Sequence, residues 1–174
     1  YFKYDNKFRK NLINLRSKIL NANDLKLYFK EITELERELT IIHAKIVKEI
    51  LNEANINIDF IGFHGQTIFH DSKIKLSKQI GDGKLLSQMT NKIVIYDFRQ
   101  NDIKNGGEGA PLASIYHKLI VQLLIKQNKI KLPISILNIG GIANLTKINK
   151  DLNILSADIG PGNCMIDKWI MLNS

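Results

Sequence analysis

The chain has 174 residues, which is enough for one sizeable domain or for parts of two. Its 44% hydrophobic and 24% charged content is typical of a soluble globular protein, and no run of about 18 apolar residues predicts a membrane-spanning helix. The net charge of +8 suggests nucleic-acid binding. However, the lysines are scattered among Ile and Asn without a dense basic stripe or interleaved aromatic residues, so we expect no nucleic-acid partner and no membrane partner.

The single cysteine, Cys164, excludes an internal disulfide and fits a reducing cytoplasm. It falls at the start of the last predicted helix, where the helix dipole would favour a thiolate, but a small packed residue is the simpler interpretation. The first residues lack the apolar core of a signal peptide, and the chain starts with Tyr1. We therefore expect a cytoplasmic protein and an internal fragment of a longer chain.

Two helices are predicted in the first third of the chain, over residues 7–21 and from Asp24 to about Leu51. Apolar residues recur at three- and four-residue spacing, which predicts burial against a sheet. A coiled coil is the alternative, but roughly three heptads support it weakly. His43, on the second helix, is expected at the surface or in packing. The apolar positions are Phe8, Leu12, Leu15, Ile19, Leu25, Tyr28, Ile32, Leu35, Leu39, Ile42 and Ile46.

The middle of the chain alternates strand and helix patterns, which indicates an α/β fold. Short strands are expected within residues 59–65 and 74–83, followed by a helical turn over residues 83–92. The apolar run at residues 92–98 is typical of a parallel strand buried on both faces. A polar, glycine-rich loop is expected over residues 99–109. A helix follows from Ala110 to Gln127, with Pro111 in its first turn and Leu112, Ile115, Leu119, Leu123 and Leu124 facing inward.

The character of the sequence changes near residues 128–132, where we place a lobe boundary. Beyond it, residues 134–148 and 151–158 predict two strands of a hairpin, followed by a Gly-Pro-Gly turn and a helix that begins near Cys164. The sequence thus predicts two lobes, residues 1–128 and residues 129–174.

Polar residues and glycines follow the predicted strands at three loops, the positions where open α/β sheets bind ligands. The first loop is "HGQT", residues 64–67, whose polar side chains can bind hydroxyl groups or can simply form a structured turn. The second runs from Asp97 to Leu112, where Arg99 could bind a ligand carboxylate or pair with Asp97 or Asp102 and hold the loop.

The third loop, residues 138–146, has two adjacent glycines, Gly140 and Gly141, within an apolar strand. Such glycines can present backbone amides to phosphate oxygens, although a pair of glycines is common.

Asp158 precedes the turn formed by Gly160, Pro161 and Gly162, and it is predicted at the end of a strand. It can cap the turn, or it can act as a general base beside amides at the N-terminus of the next helix that are free to bind phosphate.

Together, in this order, the motifs "IGFHGQT", "DFRQNDIKNGGEGAPL", "LNIGGIANLT" and "DIGPGNCMIDKW" resemble the anhydro-N-acetylmuramic acid kinase family. This resemblance implies an actin-like ATPase fold with ribonuclease H-like lobes, related to hexokinase. It covers roughly residues 34–169. Within that family the chain would supply most of the first, sugar-binding lobe and the start of the second, nucleotide-binding lobe.

The resemblance implies a kinase that uses ATP and Mg²⁺ to phosphorylate the 6-oxygen of 1,6-anhydro-N-acetylmuramic acid while water opens the anhydro ring, in peptidoglycan recycling. Asp158 matches the base that activates the water. Dimers occur in the family, so a homodimer remains an open alternative for this protein. The implied sugar contacts are His64, Gln66, Thr67, Asp97, Arg99 and Asp102, and the implied nucleotide contacts are Gly140, Gly141, Asn144, Gly160 and Gly162. No residue of this chain is predicted as a metal ligand.

The sequence departs from the family pattern in ways that bear on activity. The glycine-rich phosphate hairpin with which the family opens is absent, as is its adenosine-binding segment, so we expect residues 1–174 to be inactive alone. Glu108 stands where Gln or His is usual. Two alternatives remain open, namely another sugar kinase or ATPase of the same superfamily and a non-catalytic remnant of a decayed gene.

Overall fold

A computed structural model describes residues 2–173 and shows a mixed α/β protein. The chain divides into two compact units, Tyr1–Gly109 and Ala110–Ser174. The sequence placed the helix that follows Pro111 in the first lobe, whereas in the structure it belongs to the second unit. The lobe boundary near residue 128 stays a prediction about the fold of the longer family members.

The first unit contains five helices and four strands within the described residues. The helices are α1 (Asn6–Lys18), α2 (Asp24–Leu27), α3 (Phe29–Ala54), α4 (Gly83–Thr90) and α5 (Phe98–Lys104). The strands are β1 (Phe60–Phe63), β2 (Gln66–Asp71), β3 (Leu76–Ile80) and β4 (Ile93–Tyr96). β1 pairs with β4 in parallel, and β2 pairs with β3 in an antiparallel hairpin.

The main core of the first unit lies between α1, α3 and the β2–β3 hairpin. The apolar stripe predicted from the sequence is buried there, against a hairpin and a helix, so the coiled-coil alternative is wrong. Tyr28 interrupts the long predicted helix and separates α2 from α3. The buried core residues are Phe8, Leu15, Ile19, Ile32, Leu35, Leu39, Ile68 and Ile80.

β4 is parallel to β1, as its apolar sequence predicts, but the expectation that both of its faces are buried is wrong. Ile93 is 68% exposed and Ile95 is 45% exposed. Within the described residues the β1–β4 sheet has two strands, and helices α3 and α4 pack near one side of it through Ala44 and Leu86. A fully apolar strand therefore has an uncovered face in this chain.

As far as residue 173, the second unit is an antiparallel sheet of three strands with two helices. Its elements are α6 (Ala113–Lys126), β5 (Ile134–Ile139), β6 (Ile142–Ile148), β7 (Ile154–Pro161) and α7 (Asn163–Asn173), and the strand order is β5-β6-β7. The sequence predicts two strands here, with Gly140 and Gly141 inside the first of them. They instead form the two-residue connection between β5 and β6.

Helix α6 begins later than predicted and exposes part of its expected inner face. It starts at Ala113, beyond Pro111, whose peptide bond to Ala110 is cis. Val121 is buried, but more than half of the surface of each of Ile115, Leu119 and Leu123 is exposed. The prediction that these three residues face inward is therefore wrong within this unit. Among residues 2–173, no helix is long and apolar enough to cross a bilayer.

A histidine on α3 is held in its neutral form by its surroundings. His43 Nε2 lies 2.7 Å from the hydroxyl of Tyr4, and its ring centroid lies 5.2 Å from that of Phe63. Burial, and secondarily the charge of the nearby His64, lower the pKa of His43 below its ordinary value of 6.5.

This lowered pKa predicts a pH-dependent stability. The unfolded chain binds a proton at His43 more tightly than the folded chain does, so the contribution to the free energy of unfolding is complete above pH 6.5. It is lost progressively as the pH falls from 6.5 through the lower folded-state pKa. Urea unfolding at about pH 7.5 and about pH 5.5 should show a smaller difference for His43→Gln than for the parent chain. An identical difference in both proteins would contradict this assignment.

A second prediction concerns Gly162, which packs against the β5–β6 connection. A Cβ atom at this position would collide with the carbonyl oxygen of Gly140, whereas one at Gly141 would meet nothing within 4 Å. We expect Gly162→Ala to lower the free energy of urea unfolding by about 1–3 kcal/mol, because a backbone atom cannot easily yield. The matched variant Gly141→Ala should change it far less, and equal losses would refute the assignment.

Candidate functional site

A cleft of about 240 Å³ opens in the first unit at the carboxyl ends of β1 and β4. These strands are parallel, so the residues that follow them emerge at the same edge of the sheet. His64 and Gly65 follow β1, and Asp97 follows β4, so the structure brings parts of two predicted loops together. The lining residues are Glu36, Phe63, His64, Gly65, Lys78, Gln79, Ile80, Gly81, Asp82, Tyr96 and Asp97.

Glu36, on α3, fixes one wall of this cleft. Its Oε1 accepts hydrogen bonds from the backbone N–H of Gly81 at 3.1 Å and from Lys78 Nζ at 3.2 Å. One helical turn further on, Thr40 Oγ1 accepts the N–H of Asp82 at 3.0 Å. The turn after β3 is thereby attached to α3 at two successive amides.

Two glycines allow the exits of β1 and β3 to touch. A side chain on Gly65 would collide with the carbonyl oxygen of Ile80, and Gly65 has a φ of 63°. A Cβ atom on Gly81, whose φ is 138°, would lie 2.8 Å from the ring of Phe63. Close packing of backbone segments accounts for both glycines.

Glu36 and Lys78 were missed by the sequence analysis, although both line the cleft. The available signal was the spacing of Glu36 and Thr40, which places two polar residues one turn apart beside the buried stripe of α3. Thr40 is fully buried, so its hydroxyl requires a partner inside the protein.

Gln66 and Thr67 lie in β2 rather than in a loop, and neither lines the cleft. Gln66 Nε2 donates to the carbonyl oxygen of Thr67 at 3.3 Å, and Thr67 Oγ1 accepts from Gln79 Nε2 at 3.2 Å. The bond between Thr67 and Gln79 joins the two strands of the hairpin that supports the cleft wall, whereas the bond from Gln66 stays within β2.

Arg99 and Asp102 lie on α5, outside the cleft lining. Asp102 Oδ2 accepts the N–H of Gly109 at 2.8 Å, so this carboxylate closes the glycine-rich loop upon itself. The alternative in which Arg99 pairs with Asp97 or Asp102 is wrong, because the ion pairs within residues 2–173 join other side chains. Burial lowers the pKa of the Arg99 guanidinium from its ordinary value.

The second unit carries a row of three polar residues across its sheet. Asn138 on β5 is directly opposite Asn144 on β6, which is directly opposite Asp158 on β7. Residues paired in this way point to the same face of a sheet. Asn138 completes the row and was not among the predicted site residues.

Asp158 lies within β7 and not at its end, because the strand continues to Pro161. The ladder is irregular directly after Asp158, since Asn144 pairs with Asp158 whereas Ala143 pairs with Gly160. Ile159 is therefore an extra residue, which forms a bulge. The carboxylate of Asp158 is exposed and stands beside this bulge.

The amides at the start of α7 are not free, in contrast to the prediction. The N–H groups of Gly162 and Cys164 donate to the carbonyl oxygen of Gly141 at 2.9 and 3.3 Å, and that of Asn163 donates to Gly140 at 2.8 Å. The Gly-Pro-Gly turn thus binds the β5–β6 connection. Cys164 itself is exposed and forms no disulfide.

The acidic and histidine side chains of the described residues form no group of three or more that could hold a metal ion.

Comparisons with known proteins identify the chain. The family model for anhydro-N-acetylmuramic acid kinase matches residues 4–174. The chain is 55% identical over 98% of its length to an anhydro-N-acetylmuramic acid kinase of Pelagibacter ubique (strain HTCC1062), of which it covers 45%. It is 44% identical over 80% of its length to that of Agrobacterium fabrum (strain C58), of which it covers 38%. It is 43% identical over 80% of its length to that of Brucella canis, again covering 38% of the relative.

The chain thus spans less than half the length of these curated relatives. The family match nevertheless covers nearly every residue and includes both the cleft loops and the polar row. This chain belongs to the anhydro-N-acetylmuramic acid kinase family.

Proposed function

We propose that the protein containing this chain transfers the γ-phosphoryl group of ATP to the 6-oxygen of 1,6-anhydro-N-acetylmuramic acid while water opens the anhydro ring. The products are N-acetylmuramic acid 6-phosphate and ADP, in peptidoglycan recycling. Family membership supports the reaction class. The observation that carries the assignment of roles is the polar row, in which Asp158 is an exposed carboxylate paired with Asn144 beside a glycine turn.

In this proposal the cleft of the first unit binds the sugar. His64 and Asp97 offer hydrogen-bonding groups at its mouth, and both line it directly. Gln66, Thr67, Arg99 and Asp102 are assigned to the sugar-binding side as residues that shape or border the pocket. The actin-like fold, with residues 1–128 in the sugar-binding lobe and residues 129–174 in the nucleotide-binding lobe, belongs to the same proposal.

Asp158 is assigned the role of general base. Its carboxylate takes a proton from a water molecule, and the oxygen of that water attacks the anomeric carbon. The bond between the anomeric carbon and the 6-oxygen breaks, and the 6-oxygen takes the phosphoryl group as its bond to ADP breaks. Asn144, opposite Asp158, can orient either the carboxylate or the water through its side-chain amide.

The ATP phosphates are assigned to the loop formed by Gly140, Gly141, Asn144, Gly160 and Gly162. Because the amides of Gly140, Gly162, Asn163 and Cys164 donate to backbone carbonyls and Gly160 pairs with Ala143 in the ladder, a contact from the amide of Gly141 is the one compatible with these bonds. Gly162 contributes by packing. We assign Mg²⁺ no ligand in this chain.

The proposal is tested by measuring ADP release in a protein that joins residues 1–174 to the remaining length present in the relatives. We expect release with 1,6-anhydro-N-acetylmuramic acid and little with N-acetylglucosamine or without sugar. Asp158→Asn should lower kcat by about 10²–10⁴-fold with little change in sugar binding, as expected for loss of a general base. The control Asp151→Asn removes an exposed carboxylate from the β6–β7 turn and should leave kcat unchanged.

Release that is independent of the anhydro sugar would overturn the substrate assignment and favour another sugar kinase or ATPase of the superfamily. Near-normal turnover of Asp158→Asn would instead indicate that Asp158 has a purely structural role.

A further inference from the structure

A chain of three polar side chains connects α6 to the sheet of the second unit. His117 Nδ1 lies 2.8 Å from Thr146 Oγ1, and Thr146 Oγ1 lies 3.2 Å from Ser156 Oγ. His117 is on α6, Thr146 is on β6 and Ser156 is on β7. The chain therefore joins three elements through side-chain contacts alone.

Burial makes this chain of contacts specific. Thr146 has no exposed surface, so its hydroxyl must be satisfied by protein atoms. A hydroxyl donates one hydrogen bond while it accepts another, so it can serve His117 and Ser156 together in either direction of the chain. A valine at position 146 would fill similar space. It would lack the hydroxyl group that selects Ser156 over the other side chains of β7.

The contact between Thr146 and Ser156 lies one row before the candidate catalytic row. Thr146 pairs with Ser156 in the ladder, and two residues further along the same strands Asn144 pairs with Asp158. Because side chains alternate between faces with a period of two, both pairs project from the same face of the sheet. On this face Thr146 and Ile148 are buried, whereas Asn144 is half-buried and Asp158 is exposed.

The bulge at Ile159 makes the position of Asp158 depend on its neighbours. A bulge that moved along β7 to Ser156 would pair Asp158 with Leu145 instead of Asn144 and would turn its carboxylate to the opposite face. The Thr146–Ser156 contact would be lost in that shifted register, because Thr146 would then pair with Ala157.

We propose that His117, through Thr146 and Ser156, is a positioning residue that fixes the register of β6 and β7 and thereby keeps Asp158 on the same face as Asn144. The catalytic half of this inference rests on the proposed function, whereas the structural half does not. The side-chain hydrogen bond of His117 goes to Thr146 and not to Asp158 or Asn144, so its effect passes through the two hydroxyl groups.

The structural half is tested by amide hydrogen exchange in the 174-residue chain. In His117→Leu, the amides from Ala157 to Gly160 should exchange about tenfold faster than in the parent, because a buried hydroxyl loses its partner and local opening becomes easier. His117→Asn places a polar atom near the position of Nδ1 and should restore slow exchange. The control Lys126→Gln, at an exposed position of α6, should match the parent.

Unchanged exchange in His117→Leu would overturn the inference. If that variant does not fold, Ser156→Ala removes only the last hydroxyl of the chain and must accelerate exchange of the same amides, and unchanged exchange there overturns it equally.

The catalytic half is tested by kinetics in the longer protein. His117→Leu should lower kcat about tenfold while KM for the sugar and for ATP stays near the parent value, and His117→Asn should recover most of kcat. Faster exchange with an unchanged kcat would refute the positioning role. Faster exchange in a protein that shows no sugar-dependent ADP release would refute the proposed function and leave the register assignment supported.

Discussion

The architecture of the candidate sugar cleft depends on one carboxylate, Glu36. It reaches from the long helix α3 to a backbone amide in the turn after β3 and to the ammonium group of Lys78 on β3 itself. That turn presses Gly81 against Phe63 at the end of β1, where the chain continues into His64. The helix that carries the largest apolar stripe of the first unit thus also sets the position of a residue at the mouth of the cleft. Stability and site geometry are coupled through the same element.

Several glycines at strand ends, in loops and at helix starts serve packing in this structure. Gly65, Gly83, Gly107 and Gly162 each approach a backbone or side-chain group so closely that a Cβ atom would collide with it. Glycine-rich loops at strand ends are commonly interpreted as ligand-binding loops. Here the same residues allow neighbouring segments to touch, and any ligand that binds these loops must leave that packing intact. A glycine pattern by itself therefore does not separate the two roles.

Most helices and strands could be predicted from the sequence, because their signals are local. The apolar spacing of α3, the alternating pattern of strands and helices and the parallel character of β4 all follow from periodicity and composition, whereas the identity of its partner strand does not. β2 was missed because Gly65 and the polar pair Gln66 and Thr67 are typical of a turn, whereas pairing with β3 decides the outcome. The prediction of free amides at the start of α7 was wrong for a similar reason. The first of these amides bind carbonyl groups more than 20 residues earlier in the chain, which the local sequence does not reveal.

Only part of the candidate site could be recognised from the sequence, because some of its residues are brought there by long-range contacts. His64, Asp97, Asn144 and Asp158 stand in motifs that carry their own signal, whereas Glu36 and Lys78 join the cleft only through tertiary contacts. Such residues lie far from the motifs in sequence and have ordinary neighbours. Their contribution became visible only once the ladder and the turn contacts were known.

The central claim is that the cleft at the carboxyl ends of β1 and β4 is the sugar pocket of this kinase family member. The most direct measurement is a crystal structure of the longer protein with bound 1,6-anhydro-N-acetylmuramic acid. The account predicts that His64 and Asp97 lie within hydrogen-bonding distance, about 3 Å, of sugar oxygen or nitrogen atoms. A sugar bound away from these two strand ends, with His64 and Asp97 contacting only protein, would contradict it.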